Sequence, residues 1–260
     1  MTQNSELIVL GHTKFSDSSI VLHTLGRVYG RRSFLVRVGK RAGMALFLPL
    51  NIIEADITEN PKSALWSARN FFSRTPLSGI RDSVYKNAMT MFMAEVLFRV
   101  LKEGSVEEGL FDWCCGQILT LDALESDYSN FHLLFLLGLA SALGFRPRFE
   151  DLLPFTGSST ISAGGSSPNP TGSRNLAEST SKSTSVSHIS KLLQLITLPP
   201  EEALLVPLTG EMRTAICEDI LRYPPSTATL PSTSDPSLSF GSCSREEVSL
   251  KTAAFLEQLD

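Results

Sequence analysis

Residues 27–41 read RVYGRRSFLVRVGKR, with six basic side chains (Arg27, Arg31, Arg32, Arg37, Lys40 and Arg41) and no acid. From Arg32 to Val38 the pattern has a period of two. Phe34, Val36 and Val38 share one face, and Ser33, Leu35 and Arg37 share the other, as a strand with one buried side requires. Gly26 and Gly30 bracket the turn before this strand, and Gly39–Gly43 forms a basic turn after it. Upstream, Leu7–His12 and Ser19–Leu25 read as strands divided by the polar turn Thr13–Ser18. Downstream, Ala45–Leu50 and Ile52–Ile57 read as a fourth and a fifth strand. Five short strands in so few residues predict a small five-stranded Greek-key barrel.

Beyond residue 58 the expected elements are helices. Asn60 with Pro61 reads as an N-cap and first-turn pair, opening a helix through Ala64, Leu65, Ala68 and Phe71. A long helix is predicted over Arg81–Lys102, with Ala88, Met91, Phe92, Val96 and Leu97 facing the core and Glu95 paired to Arg99 at i,i+4. Further helices are predicted over Leu110–Leu124 and Phe131–Leu143, the latter nearly all apolar and stopped by Gly144. Residues 157–190 hold 16 Ser/Thr, four Gly and two Pro, a composition that cannot offset its ordering entropy. Order is expected to resume with Ile189–Leu198 and with Thr209–Arg222, where Thr209 is the N-cap. A weak segment, Pro224–Ser242, precedes a terminal helix with the capping box Ser244–Glu247. The fold class is thus α+β, an N-terminal five-stranded Greek-key β-barrel over 1–58 followed by an α-helical domain over 59–155 and 188–260. A Ser/Thr-rich disordered insertion is expected over 156–187.

Charge is unevenly divided. The chain has a net charge of −4, yet residues 1–50 carry seven Lys/Arg against two acids, Glu6 and Asp17. A cationic segment on an anionic body points to a polyanion partner. The candidate DNA-binding residues are Arg27, Tyr29, Arg31, Arg32, Arg37, Lys40 and Arg41: the cations for phosphates, Tyr29 for stacking on a base.

Enzyme classes find little support. GxxxxGK[ST], GxGxxG and HExxH are all missing from the sequence, and His12, His23, His132 and His188 are scattered. His132, at the start of an apolar helix, reads as structural. The pairs Glu107–Glu108, Glu201–Glu202 and Glu246–Glu247 lie near helix starts, where they complement the helix dipole. Ser179–Lys182 spells SxxK inside the low-complexity stretch, where chance accounts for it. Cys114, Cys115, Cys217 and Cys243 lack the spacing of a disulfide framework or a zinc site and are expected to be plain reduced thiols. The longest apolar run falls short of the ~20 residues that span a bilayer, and the N-terminus lacks a signal-peptide pattern. No membrane association, no cofactor and a cytoplasmic location are therefore expected.

The order of these features resembles the bacterial RecO recombination-mediator family, in the form found in the Bacteroidetes group. The resemblance is carried by LIVLGHTKFSDSSIVLHTLGRVYGRRSFLVRVGKR, FLPLNIIEADI, PKSALW, MFMAEVLFRVL, GLFDW, NFHLLFLLGLASALGFRP and SLKTAAFLEQL, taken as an ordered set. It implies an OB-fold barrel, a helical domain and a non-enzymatic role in DNA repair and homologous recombination. That role would be to bind single- and double-stranded DNA, anneal strands, and help load recombinase onto DNA coated by single-strand-binding protein. It also implies RecR and the C-terminal tail of the single-strand-binding protein as partners, and a nucleoid-associated location. Many members carry a four-cysteine zinc site just after the equivalent of LGFRPRF; here Glu150, Asp151 and Leu152 follow instead, so no metal is expected. The alternative reading from another class is a non-enzymatic scaffold whose barrel binds acidic peptides.

Overall fold

A computed structural model describes residues 2–38, 43–60, 63, 65–144 and 188–222. Five strands, β1 (Thr2–Ser16), β2 (Ser19–Gly26), β3 (Gly30–Arg37), β4 (Ile52–Thr58) and β5 (Trp66–Ser73), close a barrel in the order β1-β2-β3-β5-β4. All pairings are antiparallel except β3 with β5, which is parallel. This is the circuit of an OB-type Greek-key barrel.

The alternation seen in the sequence sets the register. Ile20 lies opposite Val36 and Leu22 opposite Phe34 across β2–β3, and Leu7 opposite Ile53 across β1–β4. These six residues, with Val9, Phe47, Ala55, Ile57 and Ala68, fill the interior, and Tyr29, Val38, Leu46, Trp66 and Phe71 pack around them. Slipping β3 by one residue would put Arg37 inside and Phe34 outside, so the register is strongly fixed.

Two sequence expectations fail at the barrel. Residues 44–47 form a single 3-10 turn rather than a strand, with Phe47 plugged into the core. The Asn51 side-chain amide holds this turn by donating to the carbonyls of Ala45 (2.7 Å) and Leu46 (3.2 Å). The helix predicted through Ala64, Leu65, Ala68 and Phe71 gives way to β5. Ala68 pairs with Ile57 and Trp66 with Phe34, so β5 covers edges of β3 and β4 that would otherwise be unpaired. Barrel closure outweighs a local helical spacing, and the barrel runs to Ser73.

Helices follow: α1 (Ser78–Arg81), α2 (Val84–Val100), α3 (Leu110–Ala123) and α4 (Phe131–Ala142). After them come α5 (188–197), α6 (Pro200–Leu204) and α7 (Gly210–Arg222). Packing separates a unit ending at Tyr128 from a second beginning at Ser129. In α2 the buried stripe is Met89, Phe92, Met93, Val96 and Leu97; Met91, expected in the core, is on the far side and 62% exposed. The Glu95–Arg99 pair forms as expected, at 2.5 Å. Thr209 caps α7, its Oγ1 accepting from the Met212 N–H at 3.2 Å. In the second unit Asn130 donates to the carbonyls of Leu204 (3.1 Å) and Val206 (2.8 Å), tying the start of α4 to the end of α6. The expectations for residues 156–187, for the chain after LGFRPRF and for the terminal helix lie outside the described residues. Among the described residues no helix is long and apolar enough to cross a membrane, and no group of three or more His, Cys, Asp or Glu could hold a metal.

The described cysteines are free thiols, Cys114 and Cys217 buried and Cys115 half-buried. Burial pushes Cys114 and Cys217 up to about 12 and Cys115 up to about 11. Thiolate is the reactive form. In a Cys243→Ser variant, native protein at pH 8 should therefore react with a disulfide reagent at least ~100-fold more slowly than the unfolded chain. Rapid native labelling of Cys114 or Cys217 by mass spectrometry would contradict this.

Candidate nucleic-acid interface

The β2–β3 hairpin that carries the basic stretch does not present its cations as one row. Arg27, in the turn, donates from Nη1 to Asp112 of α3 (2.5 Å) and from Nη2 to Glu6 (3.1 Å), and it lies 4.7 Å from the centroid of the Phe111 ring. The Asp112 and Glu6 hydrogen bonds hold its guanidinium above the usual arginine range. Glu6 also binds Arg74 (3.3 Å), which binds Glu54 (2.7 Å). Glu6 and Glu54 are direct cross-strand neighbours, so Arg27 and Arg74 relieve a like-charge pair. Arg27 is a structural clasp between barrel and α3.

Arg31 points outward, and helix α2 covers it. Its guanidinium sits 4.7 Å from the Phe98 ring centroid, with Glu103 at 3.7 Å and the side chain 16% exposed. The same outward face carries a hydrogen-bonded line in which His23 meets Thr13 Oγ1 (3.2 Å) and Ser33 Oγ (3.0 Å), under the Phe98 ring at 4.8 Å. The Ser33 N–H donates to Glu103 (3.2 Å). Burial first, and Arg31 second, lower the His23 pKa. This stretch of hairpin surface is thus occupied by the protein itself.

Arg32 has the parity of Phe34 and turns toward the barrel mouth, where it stacks on Trp66 at 4.3 Å. Tyr29 meets Trp66 edge-on at 5.1 Å and donates its hydroxyl to Gln3 (3.0 Å). Burial, reinforced by Glu59, raises the Tyr29 pKa. Arg37, at the other end of β3 opposite Ser19, is exposed and makes no ion pair with a described residue. Lys40 and Arg41 lie outside the described residues.

The five candidates within the described residues therefore divide. Arg27 and Arg31 are bound to carboxylates, Arg32 and Tyr29 flank Trp66, and Arg37, at the distal end of the strand, makes no ion pair among the described residues. Sequence reasoning missed Trp66, hidden by the helical reading of residues 61–71, and Lys14, passed over within a polar turn. The β1–β4 side of the barrel carries charges of both signs: Glu6, Glu54 and Asp56 project from paired positions on β1 and β4, Arg27 and Arg74 pair with the two glutamates, and Arg69 lies opposite Asp56 on β5. Hydrogen bonds from Asn70 and Asn4 hold Asp56 below the usual carboxylate range.

A closed OB-type barrel with cations concentrated on one hairpin, continued into helices, defines a class of small barrel proteins with appended helices. Within that class, residues 81–152 match the family model described as "Recombination protein O C terminal". The chain is 34% identical over 155 residues to the DNA repair protein RecO of Bacteroides fragilis, covering 58% of this chain and 64% of that one. Against the RecO of Phocaeicola vulgatus the identity is 35% over 155 residues, with the same coverage. Against that of Flavobacterium johnsoniae it is 29% over 161 residues, covering 60% of this chain and 68% of the relative. The alignment thus spans just under two thirds of the length of the Bacteroides and Phocaeicola relatives. Over these residues the chain is similar to the RecO proteins, the family that the ordered sequence features resemble.

Proposed function

We propose that this protein is a non-enzymatic DNA repair and recombination mediator. It binds single- and double-stranded DNA through its barrel, anneals complementary strands, and assists recombinase loading with RecR and the tail of single-strand-binding protein, in the cytoplasm at the nucleoid. The observation that carries this reading is the exposed end of β3, where Arg37 is unpaired among the described residues and Lys40 and Arg41 follow in sequence, on a relative of proteins named for DNA repair. Support also comes from the strand order, since OB barrels bind oligonucleotides on the face of strands 2 and 3 and with their loops. The mechanism is electrostatic. Cations screen phosphate repulsion between two strands, and the released counterions drive binding without regard to sequence.

The test is the affinity of the full chain for oligonucleotides as a function of salt. Wild type should show a steep log–log slope, about −0.7 per phosphate contacted on a single strand. Arg37→Glu with Lys40→Glu and Arg41→Glu should weaken binding at least ~100-fold and flatten the slope, with the melting temperature little changed. Arg27→Glu should do the reverse, lowering stability through the Asp112–Glu6 network more than it lowers affinity. Unchanged affinity in the triple variant would refute the interface. Tight binding to an acidic peptide with none to DNA would favour the scaffold reading.

A further inference from the structure

We infer that Phe15, at the tip of the β1–β2 hairpin, stacks on an unpaired base of single-stranded DNA, with Lys14, next to it in the chain, and Arg37, at the end of β3 opposite Ser19, as phosphate contacts. This rests on the DNA-binding reading above and names a base-contacting residue within it. β1 pairs with β4 only as far as Ile8, but with β2 from Leu7 to Ser16. Past the barrel wall the hairpin therefore continues as an arm whose β1 edge has no strand neighbour among the described residues. Every residue from His12 to Ser18 is exposed, and Phe15 keeps 62% of its surface in water. β3 reaches this tip, because Arg37 lies opposite Ser19 and the Val38 N–H donates to the Ser18 carbonyl at 2.9 Å.

The surroundings of Phe15 select the kind of partner. Lys14 and Arg37 outnumber the one acid of the arm, Asp17, which pairs with Lys14 at 3.2 Å with both side chains largely in solvent. Phe15 is the one exposed large apolar side chain on the arm; Val21 and Leu35 are half-buried on the sheet behind it. A protein groove needs a contiguous apolar patch, which the tip lacks. A base needs a single ring face with cations nearby, which the tip offers. Stacking also demands an unpaired base, so the contact distinguishes single strands from intact duplex.

The experiment compares full-length wild type, Phe15→Ala, Phe15→Trp and Lys14→Ala on oligo-dT and on a covalently closed duplex circle. Phe15→Ala should weaken oligo-dT binding by roughly 5- to 150-fold, the range of base–aromatic stacking, while duplex affinity stays within about 2-fold. Phe15→Trp should restore the single-strand affinity. Lys14→Ala should weaken both ligands alike, as a phosphate contact does. An unchanged oligo-dT affinity in Phe15→Ala, or an equal loss on both ligands, overturns the inference while leaving DNA binding intact. Failure of wild type to bind either ligand overturns the DNA-binding reading itself, and this inference with it.

Discussion

Replacing Gly30 with alanine should cost about 3–5 kcal/mol of stability, a large share of what a domain of this size holds. Two independent penalties combine. Gly30 has φ +61°, in the left-handed region, which costs an L-residue roughly 1 kcal/mol. A Cβ built there would also lie 1.8 Å from the Ser105 carbonyl oxygen and 2.6 Å from its carbon, so backbone must move. The backbone in question carries weight. Glu103 bridges to Arg31 and accepts from the Ser33 N–H, and the Gly104 N–H donates to the Arg31 carbonyl at 2.8 Å. Pushing this loop away exposes those groups and loosens Phe98 from Arg31 and His23. The control is Gly116→Ala on the exposed side of α3, where a Cβ meets nothing within 4 Å. That change should stabilise by about 1 kcal/mol, because alanine is the better helix former. Urea unfolding of both variants checks the pair. A Gly30→Ala protein within about 1 kcal/mol of wild type would show that the loop is not held as described.

The contrast between those two glycines shows how much the sequence could reveal. The turn at Gly30 was legible, since glycines bracket RVY between two alternating runs. Its packing partner was not, because Ser105 lies far along the chain in a stretch with no periodicity. The same division holds for the barrel. β3 declares itself by alternation, and β1, β2 and β4 by short apolar or β-branched runs bounded by turn signals. β5 does not. The sequence over 64–73 mixes a helical spacing of Ala64, Ala68 and Phe71 with strand-forming Trp66 and Phe72, and only pairing with β3 and β4 decides between them. The candidate interface was legible as charge and illegible as geometry. Alternation correctly sends Arg37 outward, and the opposite parity turns Arg32 toward Trp66. It cannot foresee that Asp112 and Glu103, more than 70 residues downstream, take up Arg27 and Arg31. A cluster of cations in sequence can meet a polyanion only where no helix brings carboxylates to it, and among the described residues Arg37, at the distal end of the hairpin, makes no ion pair.

Lowering the pH should remove about 3 kcal/mol of stability through His132 alone. The side chain is buried in the second unit at the start of α4. Burial, and next the Arg213 cation, depress its pKa from 6.5 to about 4, against a smaller opposing hydrogen bond with the Ser129 backbone. The imidazole is therefore neutral in the fold near pH 7. Because the folded pKa lies below the unfolded one, the unfolded chain takes up the proton first. The stability is complete above about pH 6.5 and falls progressively as the pH drops, with the full loss reached below about pH 4. His23, also depressed, adds a contribution of the same sign in the first unit. Carboxylates titrate in the same range, so the measurement is a difference. Unfolding free energies of wild type and His132→Gln are compared from pH 7.5 to pH 4. Glutamine stays neutral throughout, so the variant should be the less stable protein at pH 7.5 and should close the gap, or overtake, as the pH falls. Parallel curves would mean that His132 is reached by water and keeps an ordinary pKa, contrary to its burial. The direction also bears on mechanism, since an imidazole held neutral and enclosed is unable to serve as a general acid near neutral pH.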